Sequence, residues 1–171
     1  MLTLGEKMNP LDIILKKEPY IQLMVEDGAI YEFRNNRKGK KVMETAEIQL
    51  IEKLGYSDNK SDLVEYKFRL NSFTCPIWRE LFQKISESNA EVKIHGSELD
   101  LKASIEEVES EFKLVKKAIQ LTNKAYQDGK SAVLDYAKKQ EAERAKKDAE
   151  KLQAEQEKQN KIQHSYEKLN I

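Results

Sequence analysis

The sequence predicts an α+β fold: a small domain of two β-hairpins, one further strand and two or three short helices, followed by a long C-terminal helix of coiled-coil type. Three observations carry this. Ile105, Val108, Phe112, Val115, Ile119, Thr122 and Tyr126 recur at alternating steps of three and four, an a/d stripe with one polar member. Asp27-Gly28 lies between two apolar runs, the pairing signal of a tight hairpin. Val64–Leu70 alternates strictly, with Val64, Tyr66, Phe68 and Leu70 on one face and Glu65, Lys67 and Arg69 on the other.

The elements follow in chain order. Asn9-Pro10 suits the start of a short helix through Leu11, Ile13, Ile14 and Leu15, ending near Lys17, because Asn caps and Pro tolerates the first turn. Tyr20–Val25 and Ala29–Phe33 form the first hairpin, with Val25 beside Ile30 and Met24 beside Tyr31; both faces then carry apolar groups and need cover. Arg34–Lys41 reads as a basic loop. Thr45 suits an N-cap for a helix in which Ile48, Ile51 and Leu54 recur every three residues and Ala46, Leu50 and Leu54 every four, stopped by Gly55. Tyr56–Lys60 is turn-like and leads to the strand 64–70. Cys75-Pro76 opens a helix whose core face is Ile77, Leu81 and Ile85, widened by Trp78 and Phe82. Val92 and Ile94, then Leu99 and Leu101, alternate with polar residues around His95-Gly96-Ser97, a second hairpin.

Ser104-Ile-Glu-Glu107 has the form of a capping box, which divides the chain into a globular domain, 1–103, and a helical segment, 104–171. Gly129 interrupts that segment at 128–130, and Gly in a helix interior costs about 1 kcal/mol relative to Ala. Yet Tyr126, Val133 and Tyr136 keep the register across it, which favours one continuous helix on the order of 100 Å long at about 1.5 Å per residue. Beyond Tyr136 the register passes to Ala142, Ala145, Ala149 and Leu152, which bury little area. From Lys138 to Lys161, 14 of 24 residues are charged. Glu109/Lys113, Asp135/Lys139, Glu143/Lys147 and Glu157/Lys161 are spaced for i,i+4 pairs.

Net charge is zero over 171 residues, so no global field draws the chain to polyanions. The local exception is Arg34, Arg37, Lys38, Lys40 and Lys41, five bases within eight positions next to Tyr31 and Phe33; they are the candidate nucleic-acid contacts. One cysteine, Cys75, excludes an intramolecular disulfide, and with two histidines no metal-ligand spacing exists. No catalytic set, cofactor or metal site is expected. Cys75 at a helix N-terminus lacks a neighbouring base in sequence, and the glycines assemble no phosphate loop. The acids at Glu106, Glu107, Glu109 and Glu111 suit a first helical turn. No run approaches the roughly 18–20 apolar residues of a membrane span, and the first twenty residues make a poor signal peptide, so the expected location is cytoplasmic.

The expected function is a non-enzymatic protein-binding or assembly module: an adaptor, scaffold or protein inhibitor, of a size that suits a phage or bacterial protein. It would dock or oligomerise through the stripe Ile105, Val108, Phe112, Val115, Ile119, Tyr126 and Val133, whose first turns pack on the domain and whose later turns meet another copy of the chain or a different protein. The alternative is nucleic-acid binding by the basic segment 34–41.

Overall fold

The computed structural model describes residues 9–44 and 47–171. The N-cap expected at Thr45, its neighbour Ala46 and the first eight residues lie outside them. Among the described residues three helices and seven strands follow one another: α1 (Pro10–Lys17), β1 (Leu23–Glu26), β2 (Ala29–Arg34), β3 (Arg37–Met43), β4 (Leu50–Asp58), β5 (Val64–Leu70), α2 (Pro76–Ile85), β6 (Glu91–His95), β7 (Glu98–Ala103) and α3 (Val108–Glu167). They form two antiparallel sheets, β1-β2-β3 and β4-β5-β7-β6. The α+β class and the long C-terminal helix stand as the sequence predicts.

Local chemistry explains the elements that match. Asn9 Oδ1 accepts the Leu11 N–H at 3.0 Å and Pro10 occupies the first turn of α1. Asp27 and Gly28 both take positive φ, 50° and 75°, as a type I′ turn requires, and Val25 pairs with Ile30 and Met24 with Tyr31. Gly96 turns β6 into β7 at φ 60°. The inward row of β5 meets Leu99, Leu101 and Ala103 of β7, and Phe68 stacks on Phe112 of α3 with ring centroids 4.9 Å apart. Trp78, Leu81 and Phe82 of α2 are buried in the same core as Ile30, Met43, Val115 and Val133.

Three expectations are corrected. The basic stretch 34–41 is no loop: Asn35 and Asn36 at φ 51° and 57° make a second two-residue turn, and Arg37–Met43 returns as β3 along β2. Asn tolerates the left-handed region, so Asn-Asn does the work of Asn-Gly here. The helix expected around Ile48–Leu54 is instead β4. Register shifts after Leu50 and after Lys53 insert Ile51 and Leu54 as extra residues against β5. Such bulges break period two and mimic helical spacing, while Gly55, at φ 126°, continues the strand rather than ending a helix. Finally, residues 105–107 form a turn before α3 starts at Val108. Ser104 bonds the Glu107 side chain at 3.1 Å rather than an amide, so the capping box is not made.

Packing does not break at 103/104. Val115, Ala118, Ile119, Tyr126, Val133 and Ala137 of α3 share one core with both sheets and with α1 and α2. The helix runs unbroken through Gly129 for 60 residues, about 90 Å at about 1.5 Å per residue. Close approach explains the glycine: a Cβ there would lie 2.0 Å from Pro10 Cδ and 2.4 Å from Pro10 Cγ. Gly129→Ala should therefore destabilise the protein by about 1–3 kcal/mol, although helix propensity alone favours Ala by about 1 kcal/mol. Urea unfolding checks the sign; a stabilised variant would show that α1 does not seat on α3 in this way.

Candidate functional site

α3 holds the molecule together with side chains that bond to backbone. Asn123 Oδ1 accepts the Ile48 N–H at 3.1 Å and the Trp78 indole N–H at 2.9 Å, while its Nδ2 donates to Ile48 O at 2.8 Å. Tyr126 OH accepts the Glu44 N–H at 3.0 Å and lies 3.4 Å from Cys75 Sγ. Burial pushes the Tyr126 phenol well above its ordinary pKa. One turn on, Lys130 is buried; desolvation lowers its pKa, partly opposed by the Glu44 carboxylate.

Further along, the helix seals the edge of β1. The Leu23 N–H donates to Gln140 Oε1 at 2.8 Å, and Gln140 Nε2 donates to Ile21 O at 2.9 Å. The Val25 N–H donates to Glu141 Oε1 at 2.8 Å. Arg144 donates to Leu23 O at 2.7 Å and Gln22 Oε1 at 2.8 Å, with its guanidinium 4.4 Å from the Phe33 ring centroid. These contacts give the outward-facing backbone of an edge strand the partners it otherwise lacks.

Arg144 is also where support ends. Every residue from Ala145 to Ile171 is exposed, yet α3 continues to Glu167. The free portion is about 35 Å long at about 1.5 Å per residue. It extends a helix already nucleated in the core, so it escapes the cost of a first turn. Ala145, Ala149 and Leu152 lie on one stripe that continues through Gln156, Gln159 and Gln163 to Tyr166. Small residues let a second helix approach closely, and glutamines offer bonds across the seam. Leu152 and Tyr166 are exposed large apolar side chains on that stripe, and Ile162, off the stripe, is exposed as well.

The stripe chosen from the sequence has another fate. Val115, Ile119, Tyr126 and Val133 are buried by this chain's own sheets and helices, and Val108 and Phe112 pack against that core. Ile105 lies in the turn before α3 and is 71% exposed. The two sheets, α1 and α2 close one shared core against that stripe. The part of α3 in which every residue is exposed begins at Ala145, beyond the buried Ala137 and Gln140.

The five basic candidates come together on β2 and β3 but not as a free cationic patch. Arg34 meets Glu18 at 2.9 Å and Glu32 at 3.5 Å, Lys38 pairs with Glu26, and Lys41 meets Glu44 at 3.0 Å. Donating to the Glu26 and Glu44 carboxylates raises the Lys38 and Lys41 pKa values respectively. Lys38 and Lys41 also sit 4.9 and 6.0 Å from the Tyr31 ring centroid, occupying the face that was to stack on bases. Arg37 and Lys40 are exposed.

Cys75 is half-buried at the N-cap of α2, beside a cleft lined by Glu44, Ile48, Phe73, Trp78 and Tyr126 that has room for about one water. Its neighbour is the Tyr126 hydroxyl, a poor base. Among the described residues no three His, Cys, Asp or Glu side chains gather as a metal site, and no helix is long and apolar enough to cross a membrane. Comparison with protein-family models, with curated proteins and with solved structures finds no match to this chain.

Sequence reasoning missed Asn123 and Gln140 as the residues that position the free helix. The available signal was a polar residue inside an apolar stripe, as at Thr122; what it bonds cannot be read from its own helix. Asn123→Leu strands the Ile48 backbone groups and the Trp78 indole, each unmet bond costing about 1–3 kcal/mol. Thermal and urea unfolding should show a loss of roughly 3 kcal/mol or more, with Trp78 fluorescence altered; a near-neutral result would mean these bonds are replaced by water.

Proposed function

We propose that this protein is a non-enzymatic assembly module that uses the unsupported part of α3 as a docking rod for a helix of a protein partner. The single observation that supports the reading is the abrupt change along α3 at Arg144. Before it, the helix is welded to both sheets; after it, some six turns stand in solvent. A chain that needed α3 only for its core would gain nothing from extending it, since isolated charged helices are marginal in water. The domain fixes the rod's base and direction through Gln140, Glu141 and Arg144. The stripe Ala145, Ala149, Leu152, Gln156, Gln159, Gln163 and Tyr166 supplies the contact face, and the interspersed Lys and Glu residues keep the free form soluble and select the partner's register.

The charge pairing around Arg34, Lys38 and Lys41 weighs against the nucleic-acid alternative, because counterion release needs cations that are free to neutralise phosphates.

Affinity capture from the native host tests the reading, with the natural chain compared against a variant carrying Ala145→Glu, Leu152→Glu and Tyr166→Glu. The expected result is a partner retained by the first and lost by the second, while both unfold at the same urea midpoint. Amide exchange over 150–167 should be fast in the free protein and slow in the complex. Equal retention by the variant would overturn the rod as the docking element.

A further inference from the structure

The stripe on the exposed part of α3 points away from the domain. Gln140 faces β1 and bonds its edge. Ala149, nine residues on, lies about two and a half turns beyond it at about 3.6 residues per turn, on the opposite side of the helix. A second helix laid on the stripe therefore runs along the side of α3 turned away from β1.

That stripe is graded along its length. Ala145 and Ala149 are small at the base, Gln156 and Gln159 occupy the middle, and Tyr166 is bulky at the tip. Heptad spacing places Lys146, Gln153, Asn160 and Glu167 along one flank and Asp148, Glu155 and Ile162 along the other. All of them are exposed. One flank thus carries a cation at its base and an anion at its tip.

We propose that the helix docked on the rod is the rod of a second copy of this chain, antiparallel about a two-fold axis between Glu157 and Lys158. This rests on the reading of α3 as a docking rod and names its occupant. Self-complementarity of size and charge selects that occupant and its register. Ala149 then opposes the partner's Tyr166, Leu152 the partner's Gln163, and Gln156 the partner's Gln159, each contact occurring twice. A small residue meets a bulky one at both ends, and the central amides can each donate and accept. On the flanks Lys146 lies beside Glu167 of the partner subunit, and Glu155 beside the partner's Ile162, so opposite charges meet and like charges do not. Residues 148–167 are helical throughout the overlap, about 30 Å at about 1.5 Å per residue. Sliding one heptad towards the base sets Glu155 against Glu155 of the partner subunit on the axis. Sliding one heptad towards the tip puts Leu152 opposite the partner's Asn170, beyond the end of α3. A parallel pair would set alanine on alanine at the base, and its Lys146 would meet the partner's Glu141, a residue already holding the Val25 N–H.

Sedimentation equilibrium on the full chain tests the idea. The natural protein should dimerise reversibly. Lys146→Glu should raise the dimer dissociation constant roughly tenfold, because two like-charge pairs replace two ion pairs, and adding Glu167→Lys should restore it. In a Cys75→Ser background, a mixture of Ala149→Cys and Tyr166→Cys chains should oxidise to a disulfide-linked dimer, while Ala149→Cys alone should not. A natural chain that stays monomeric at millimolar concentration, or Ala149→Cys chains that link to one another as a parallel pair would, overturns the proposal. The rod reading fails separately: a monomeric natural chain whose host partner is still lost on substituting Ala145, Leu152 and Tyr166 would keep the rod and give it a different occupant.

Discussion

Two amide side chains on one helix, Asn123 and Gln140, hold the structure together. Each bonds backbone from a part of the chain with no regular partner: Asn123 holds Ile48 between the two sheets, and Gln140 holds Ile21 and Leu23 at an exposed edge. Backbone polar groups left without partners away from water cost about as much as a lost hydrogen bond. Apolar residues at these positions could supply contact area but not those bonds. The seam of α3 is therefore mixed: Val115, Ile119 and Val133 fill volume, while Asn123, Tyr126 and Gln140 fix direction and register. This gives one arrangement of helix and sheets rather than many of similar energy.

The remaining features follow from α3 being held so firmly over its first ten turns. Gly129 is tolerated in mid-helix because α1 must come close enough for Pro10 to rest on it. The edge of β1 can stay short and apolar because side chains from α3 complete its hydrogen bonding. The part beyond Arg144 continues the same helix and so inherits its direction from the welded part. A tail joined through a flexible linker would reach the same distance only on average and would lose more entropy on docking.

Charges divide into two roles. On the β1-β2-β3 sheet they are consumed locally, as Arg34, Lys38 and Lys41 meet Glu18, Glu32, Glu26 and Glu44. These are exposed pairs, individually worth little. Together they flatten the local field that the run of bases implies. On the free part of α3, lysines and glutamates are spread around an exposed helix, where they keep it in solution.

How much of this was legible in the chain divides by range. Asp27-Gly28, the alternation of Val64–Leu70, the Asn9-Pro10 cap and the continuity of the helix past Gly129 were all readable, because each is written in residues that touch their near neighbours. β4 was not, since its bulges scrambled the period. β3 was hidden behind its charge, with only Asn35-Asn36 to announce the turn. The candidate surface was half legible: the alanine register after Tyr136 was visible, but the stripe before it was divided between domain and partner, whereas its later turns at Tyr126 and Val133 are buried at home as well. By itself, then, the sequence determined which segments are amphipathic and where the tightest turns fall, since steric and hydrophobic periodicity act over a few residues. Only the tertiary structure decided which apolar face is buried at home and which is left over, because that depends on how much area distant strands and helices offer one another.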